Sequence, residues 1–186
     1  VPSEEELKQW EEAAGAQRGL QLKEISTFFD TPRGDLKAAD EGLRVRLDRS
    51  TDGSYQKATI THKGPRAHGR IKMRSESEIE VNDAKAAAEL LAALGYTAVL
   101  SFEKRRDKWS LDGCSIEIDT LPYLGHFVEI EGPSETVVLA VRKKLGLDGQ
   151  PMISASYISM LVTYLTEHGI TAEHVGLNTS EEAARA

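Results

Sequence analysis

The ten residues 71–80, IKMRSESEIE, alternate in polarity along an extended chain. Lys72, Arg74, Glu76, Glu78 and Glu80 fall on one side, and Ile71, Met73, Ser75, Ser77 and Ile79 on the other. Four further stretches repeat this two-residue period. Arg44 and Arg46 flank Val45 in LRVRL, and Lys104, Arg106 and Lys108 share a side of FEKRRDKW. Glu117 and Asp119 alternate with Ile116 and Ile118, and Glu129 and Glu131 with Val128 and Ile130. Between these strands the pattern changes to helical periods. Ser3 followed by Glu6 is a capping box that predicts a helix to about Gly15, with Leu7 and Trp10 on its apolar stripe. Residues 20–29 read as extended, DTPRG as a turn and DLKAAD as a short helix stopped at Gly42. TDGS predicts a hairpin turn, residues 55–62 a strand and KGPRAHG a loop. NDAKAAAELLAALG predicts a helix capped by Asn82 or Asp83 and ended by Gly95. Residues 98–108, 109–120 (with DG as a turn inside) and 125–131 predict antiparallel strands. Two amphipathic helices follow, over about 135–145 and 156–167.

Composition narrows the class. A chain of 186 residues with 40% apolar content fits one ordinary domain, expected over residues 1–169, with a polar tail over 170–186. With 23 basic and 30 acidic residues the net charge is −7, which argues against a nucleic-acid partner. Cys114 is the only cysteine, so no internal disulfide forms and a reducing, cytoplasmic setting is expected. The apolar runs are too short and interrupted to span a bilayer, and no signal peptide is expected. The expected partner is a small molecule, bound by a monomer or homodimer.

The charges are sorted by strand. Solvent exposure alone would mix lysine, serine, threonine and glutamine freely; here basic pairs occupy some strands and carboxylate pairs others. Amphipathic helices are available to cover the opposing apolar sides. The expectation is an α+β fold: an antiparallel sheet curled into a closed or nearly closed barrel, its lumen charged and its helices packed outside. Buried charges must be paired or bind counter-ions. Such an interior calls for a polyanion together with divalent cations. Arginine and lysine suit phosphate oxygens, and paired carboxylates suit Mg²⁺ or Mn²⁺. One cysteine and scattered histidines make no zinc pattern. A cation bridging phosphate oxygens is the apparatus of phosphoryl transfer.

The motifs FFDTP, EGLRVRL, THKGP, MRSESE, EKRRDKW and YLGHFVEIEG, in this order over residues 28–132, resemble the CYTH proteins, or triphosphate tunnel metalloenzymes. That family includes class IV adenylate cyclases and thiamine triphosphatases. The resemblance implies a tunnel of about eight strands binding a triphosphate such as ATP, inorganic triphosphate or thiamine triphosphate. It implies Arg44, Arg46, Lys63, Arg74, Lys104 and Arg106 as phosphate ligands. It implies Glu129, Glu131 and Asp119 at the metal, with Glu76 and Glu78 as further lumen acids. It names no catalytic base. The family's first strand carries Glu-x-Glu-x-Lys, whereas Glu4, Glu5 and Glu6 start a helix with no lysine at the required place. The expectation is that this strand has been removed, leaving half of the metal site and an inactive polypeptide, while the intact protein keeps the activity. The phrasing EKRR and LGHFVEIEG is similar to the bacterial cyclase branch, so conversion of ATP to cyclic AMP and pyrophosphate leads. Triphosphate hydrolysis and polyphosphate or nucleotide binding without turnover are the alternatives.

Overall fold

The computed structural model describes Glu6, Gln9, Trp10 and residues 15–67 and 73–177. Most of the predicted N-terminal helix, Ile71, Lys72 and the end of the tail lie outside the described residues. The strands are β1 (Gln17–Asp30), β2 (Gly42–Ser50), β3 (Gln56–Ala67), β4 (Met73–Val81), β5 (Thr97–Leu111), β6 (Cys114–Leu121), β7 (Gly125–Glu131) and β8 (His174–Val175). The helices are α1 (Asp35–Ala38), α2 (Ala84–Ala93), α3 (Glu135–Lys144) and α4 (Tyr157–Glu167). One sheet runs β4-β3-β2-β1-β5-β6-β7, every neighbouring pair antiparallel, and β8 adds to β5 in parallel.

Local chemistry sets the boundaries. The Asp30 carboxylate accepts from the backbone N–H groups of Thr31, Leu36 and Lys37, which ties the FFDTP turn to the start of α1. Asp83 caps α2 through the N–H groups of Lys85 and Ala86, and Ser134 and Ser156 cap α3 and α4. Two strand ends differ from the sequence reading. Trp109, Ser110 and Leu111 continue β5, because only Asp112 (φ 50°) and Gly113 (φ 77°) take the paired positive φ of a tight hairpin. The expected KGPRAHG loop instead prolongs β3 to Ala67. A register shift between Lys63 and Arg66 accommodates Pro65, which has no N–H for the ladder.

The outer face of the sheet is apolar and carries α2 and α3. Phe29, Leu43 and Val45 meet Ala87 and Leu91 of α2, while Trp109, Ile116 and Ile118 meet Val138 and Val141 of α3. Helix α4 goes to the other side. Its Leu161 and Leu165 pack with Leu100, Phe102 and Leu121. Phe102 stands two residues before Lys104, so both point to the concave face. The concave positions at this end are apolar, Phe28 stacking on Phe102 at 5.8 Å, and α4 fills that end of the curl.

Curvature is visible in the electrostatics. Five steps separate β3 from β7 in the strand order, about 24 Å on a flat sheet. The Lys63 ammonium on β3 nevertheless senses the Glu131 carboxylate on β7 as well as Arg44 on β2. The sheet is therefore bent, and Phe28 of β1 and Phe127 of β7, three strand steps apart, join one cluster around α4. Among the described residues no ladder joins β4 to β7, so the curl is open along that seam.

Leu161 is fully buried. Truncation to alanine is expected to cost about 2–5 kcal/mol, read as a lower urea midpoint at unchanged slope. A loss below about 1 kcal/mol would show that α4 does not fill the concave end.

Candidate anion and metal site

Register brings Glu24 on β1 opposite both Asp48 on β2 and Lys104 on β5, and Arg106 opposite Asp119 on β6. These groups form a matched cluster at the middle of the curl. Arg106 Nε donates to Asp119 Oδ1 at 2.7 Å, and Lys104 Nζ donates to Asp119 Oδ2 at 3.0 Å. The Arg106 fork also reaches Glu129 Oε2 at 2.7 Å and lies 2.7 Å from Glu117 Oε2. Glu24 sits 3.0 Å from Lys104, 3.4 Å from Arg106 and 3.6 Å from Arg46. Burial alone would raise the Glu24 and Asp119 carboxyls, but the surrounding Lys104 and Arg106 outweigh it and hold both below the usual range. Burial works against the charge on Arg106 as well; Asp119, Glu24 and Glu117 more than offset it.

The wall formed by β2, β3 and β4 is different, because its cations are only partly answered. Arg44 Nη2 donates to Thr61 Oγ1 at 3.2 Å, and Thr61 donates to Glu78 at 2.8 Å. Lys63 pairs with Glu76 at 2.5 Å. Arg74 leans to the carbonyl and carboxylate of Asp40 at 3.4 and 3.6 Å. Arg46 Nε lies 3.2 Å from Asp48 but is not aligned for a hydrogen bond. The Nε atoms of Arg44, Arg46 and Arg74 and the hydroxyl of Thr59 are buried with no hydrogen-bond partner among the described residues. Burial, with Arg46 beside it, pushes the Arg44 guanidinium down to about 10. Burial likewise lowers Lys63, against the pull of Glu76.

The carboxylates of β6 and β7 crowd one another. Glu117 stands directly opposite Glu129, with Glu131 two residues along β7. Burial, opposed by Arg106, combines with Glu131 and Glu129 to raise the Glu117 carboxyl. Among the described residues no three His, Cys, Asp or Glu groups already converge as a metal cage. The donor set nonetheless fits a hard cation: oxygen-only ligands whose mutual repulsion a divalent ion would relieve. Asp119 differs from the other acids in having both oxygens engaged.

All eleven residues singled out from the sequence lie on strands of the curled sheet, but their surroundings divide them. Arg44, Arg46, Lys63 and Arg74, with Glu76 and Glu78 beside them, form the cation-rich wall. Lys104 and Arg106 are bound to carboxylates, and Glu129 and Glu131 face this cluster from β7. Sequence reasoning missed Glu24, Asp48, Thr59, Thr61 and Tyr157. The available signal for Glu24 was the extended reading of residues 20–29, which puts it on one side of the strand with Leu22 and Ser26.

An antiparallel sheet curled around a charged face, with helices on its apolar side, defines an α+β protein of the β-tunnel type. The chain belongs to the CYTH domain family, whose model matches residues 1–154. It is similar to the adenylate cyclase CyaB of Aeromonas hydrophila, 28% identical over 153 residues, covering 77% of this chain and 75% of the relative. The PH1819 protein of Pyrococcus horikoshii shares the fold at a TM-score of 0.75 and 26% identity, with 87% of this chain and 95% of that one covered. HpAC1 from Hippeastrum, described with a dominant triphosphatase activity, superposes at a TM-score of 0.60 and 17% identity, covering 92% and 94% of the two chains. No helix among the described residues is long and apolar enough to cross a membrane.

Asp119→Ala is expected to cost about 3–5 kcal/mol, since it removes the buried carboxylate that accepts from both Arg106 and Lys104; urea unfolding at neutral pH measures it. Glu117→Gln should instead raise the neutral-pH Tm, because a carboxyl raised on folding loses its stabilisation as pH climbs through the folded value. The lowered groups behave oppositely. Stability from Glu24 and Asp119 is full above their unfolded values and disappears as pH falls through the folded ones. Asp119→Asn should therefore flatten the acid limb of a stability–pH curve; an unchanged limb would contradict the cluster.

Proposed function

We propose that the concave face binds a triphosphate together with Mg²⁺ or Mn²⁺, and that the protein is a class IV adenylate cyclase-like enzyme. The observation that carries this reading is the row of buried guanidinium Nε donors on Arg44, Arg46 and Arg74 that make no hydrogen bond among the described residues, Arg46 having only a misaligned ion pair with Asp48. Buried donors without partners are rare in folded proteins, and a chain of phosphate oxygens would satisfy all three. Lys63 adds a point charge to the same wall. Lys104 and Arg106 face the ligand from the matched cluster and reach it only by loosening their hold on Asp119, Glu24 and Glu129.

Glu129 and Glu131 would hold the cation, with Glu117 opposite. When bound, the cation neutralises charge developing on phosphate oxygens. The chain's own residues fix the phosphates in line and keep bulk water from the inner end, where α4 packs. In the cyclase reading this aligns the ribose 3′-hydroxyl of ATP with the α-phosphorus, and pyrophosphate leaves. The similarity to CyaB of Aeromonas hydrophila supports that choice. Hydrolysis of the terminal phosphate is the second reading, supported by the activity described for the Hippeastrum protein.

Incubating the full-length protein with ATP and Mn²⁺ and separating the products is expected to yield cyclic AMP and pyrophosphate. Orthophosphate without cyclic AMP would replace the cyclase by the hydrolase. Replacing Arg44 or Arg46 with alanine should weaken triphosphate binding by about 1.5–3 kcal/mol each, measured by calorimetric titration. Unchanged affinity in both variants would end the proposal.

A further inference from the structure

We propose that the hydroxyl of Tyr157 is a ligand-positioning group, donating a hydrogen bond to an oxygen of the triphosphate at the inner end of the concave face. The proposal rests on the triphosphate reading and adds a residue from outside the strands.

Tyr157 is the first residue of α4, and its placement is tightly set. Ser156 caps the helix, and the reciprocal Ser156–Ser159 capping box fixes the first turn. The ring packs against Phe127 with centroids 5.2 Å apart, and Lys104 Nζ lies 5.3 Å from the ring centroid. Phenylalanine would make both contacts equally well. What tyrosine adds is an oxygen that is buried with no hydrogen-bond partner among the described residues. A buried orphan hydroxyl is costly and uncommon unless something else uses it.

The neighbours define what could use it. The hydroxyl lies beside Asp119 and feels its charge but makes no hydrogen bond there of normal distance and angle, while Asp119 accepts from Arg106 and Lys104. Glu129 is close enough to act on it electrostatically, and burial with these two carboxylates keeps the phenol neutral. A neutral phenol in this position is a donor and not a base. Its surroundings are a lysine, an arginine and the carboxylate proposed to hold the cation, so the group that arrives between them carries acceptor oxygens. Phosphate oxygens meet that description.

Tyr157→Phe removes only the oxygen and keeps the ring contacts. Inorganic triphosphate with Mg²⁺ is titrated calorimetrically into wild-type and variant, Mn²⁺ is titrated alone, and both proteins are melted without ligand. The expected result is a Kd for triphosphate raised about tenfold, with identical Mn²⁺ isotherms and a Tm unchanged or higher. Equal triphosphate affinity in the two proteins overturns the assignment while leaving the triphosphate reading intact. A lower Tm, or weaker Mn²⁺ binding alone, also overturns it, because the hydroxyl would then serve the fold or the cation. Wild-type protein that binds no triphosphate overturns both.

Discussion

A charge turned toward the inside of a curled sheet must meet an opposite charge within a few ångströms or wait for a ligand to supply one. Everything about this protein's concave face follows from how that demand is met. Around Arg106 it is met for the cations: Asp119, Glu24, Glu117 and Glu129 surround one guanidinium, and Lys104 shares two of them, while Glu24 and Glu117 keep buried oxygens held by ion pairs alone. The planar fork of arginine allows this, since its donors leave in fixed directions toward several carboxylates at once. Lysine in the same place could not hold four partners in register.

On the opposing wall the demand is met only in part, and this asymmetry separates structure from function. The matched cluster joins β1, β5, β6 and β7 and fixes the curl. The arginines of β2 and β4 keep Nε donors to which no acceptor among the described residues is hydrogen-bonded. Helix α4 closes the charged interior at one end. Its leucines replace water at one end of the concavity, which lowers the local dielectric and strengthens every pairing nearby.

Much of the fold was legible because the two-residue period is unambiguous over long strands. The charged faces of β2, β4, β5, β6 and β7 were all readable, and residue type narrowed the cap of α2 to Asn82 or Asp83. Register was not legible. Without knowing that Arg106 stands opposite Asp119, nothing in EKRRDKW distinguishes a lysine and arginine waiting for phosphate from a pair already engaged. Glu24 escaped notice because KEISTFF mixes a serine and two aromatics into its alternation. The apolar stripe of α4 fits an outer groove as well as an inner one; only the three-dimensional meeting of Leu100, Phe102 and Leu121 decides between them. Val175, in a stretch that reads as polar tail, is buried because β8 joins β5 beside Phe102.

The two walls should also answer differently to ionic strength. Pairs sealed from solvent are barely touched by added electrolyte, whereas attraction reaching outward from partly open cations is screened within about 8–10 Å at physiological salt. Dissolved salt thus acts on the molecule selectively: it dulls the long-range pull on an approaching anion while the internal frame around Arg106 stays intact.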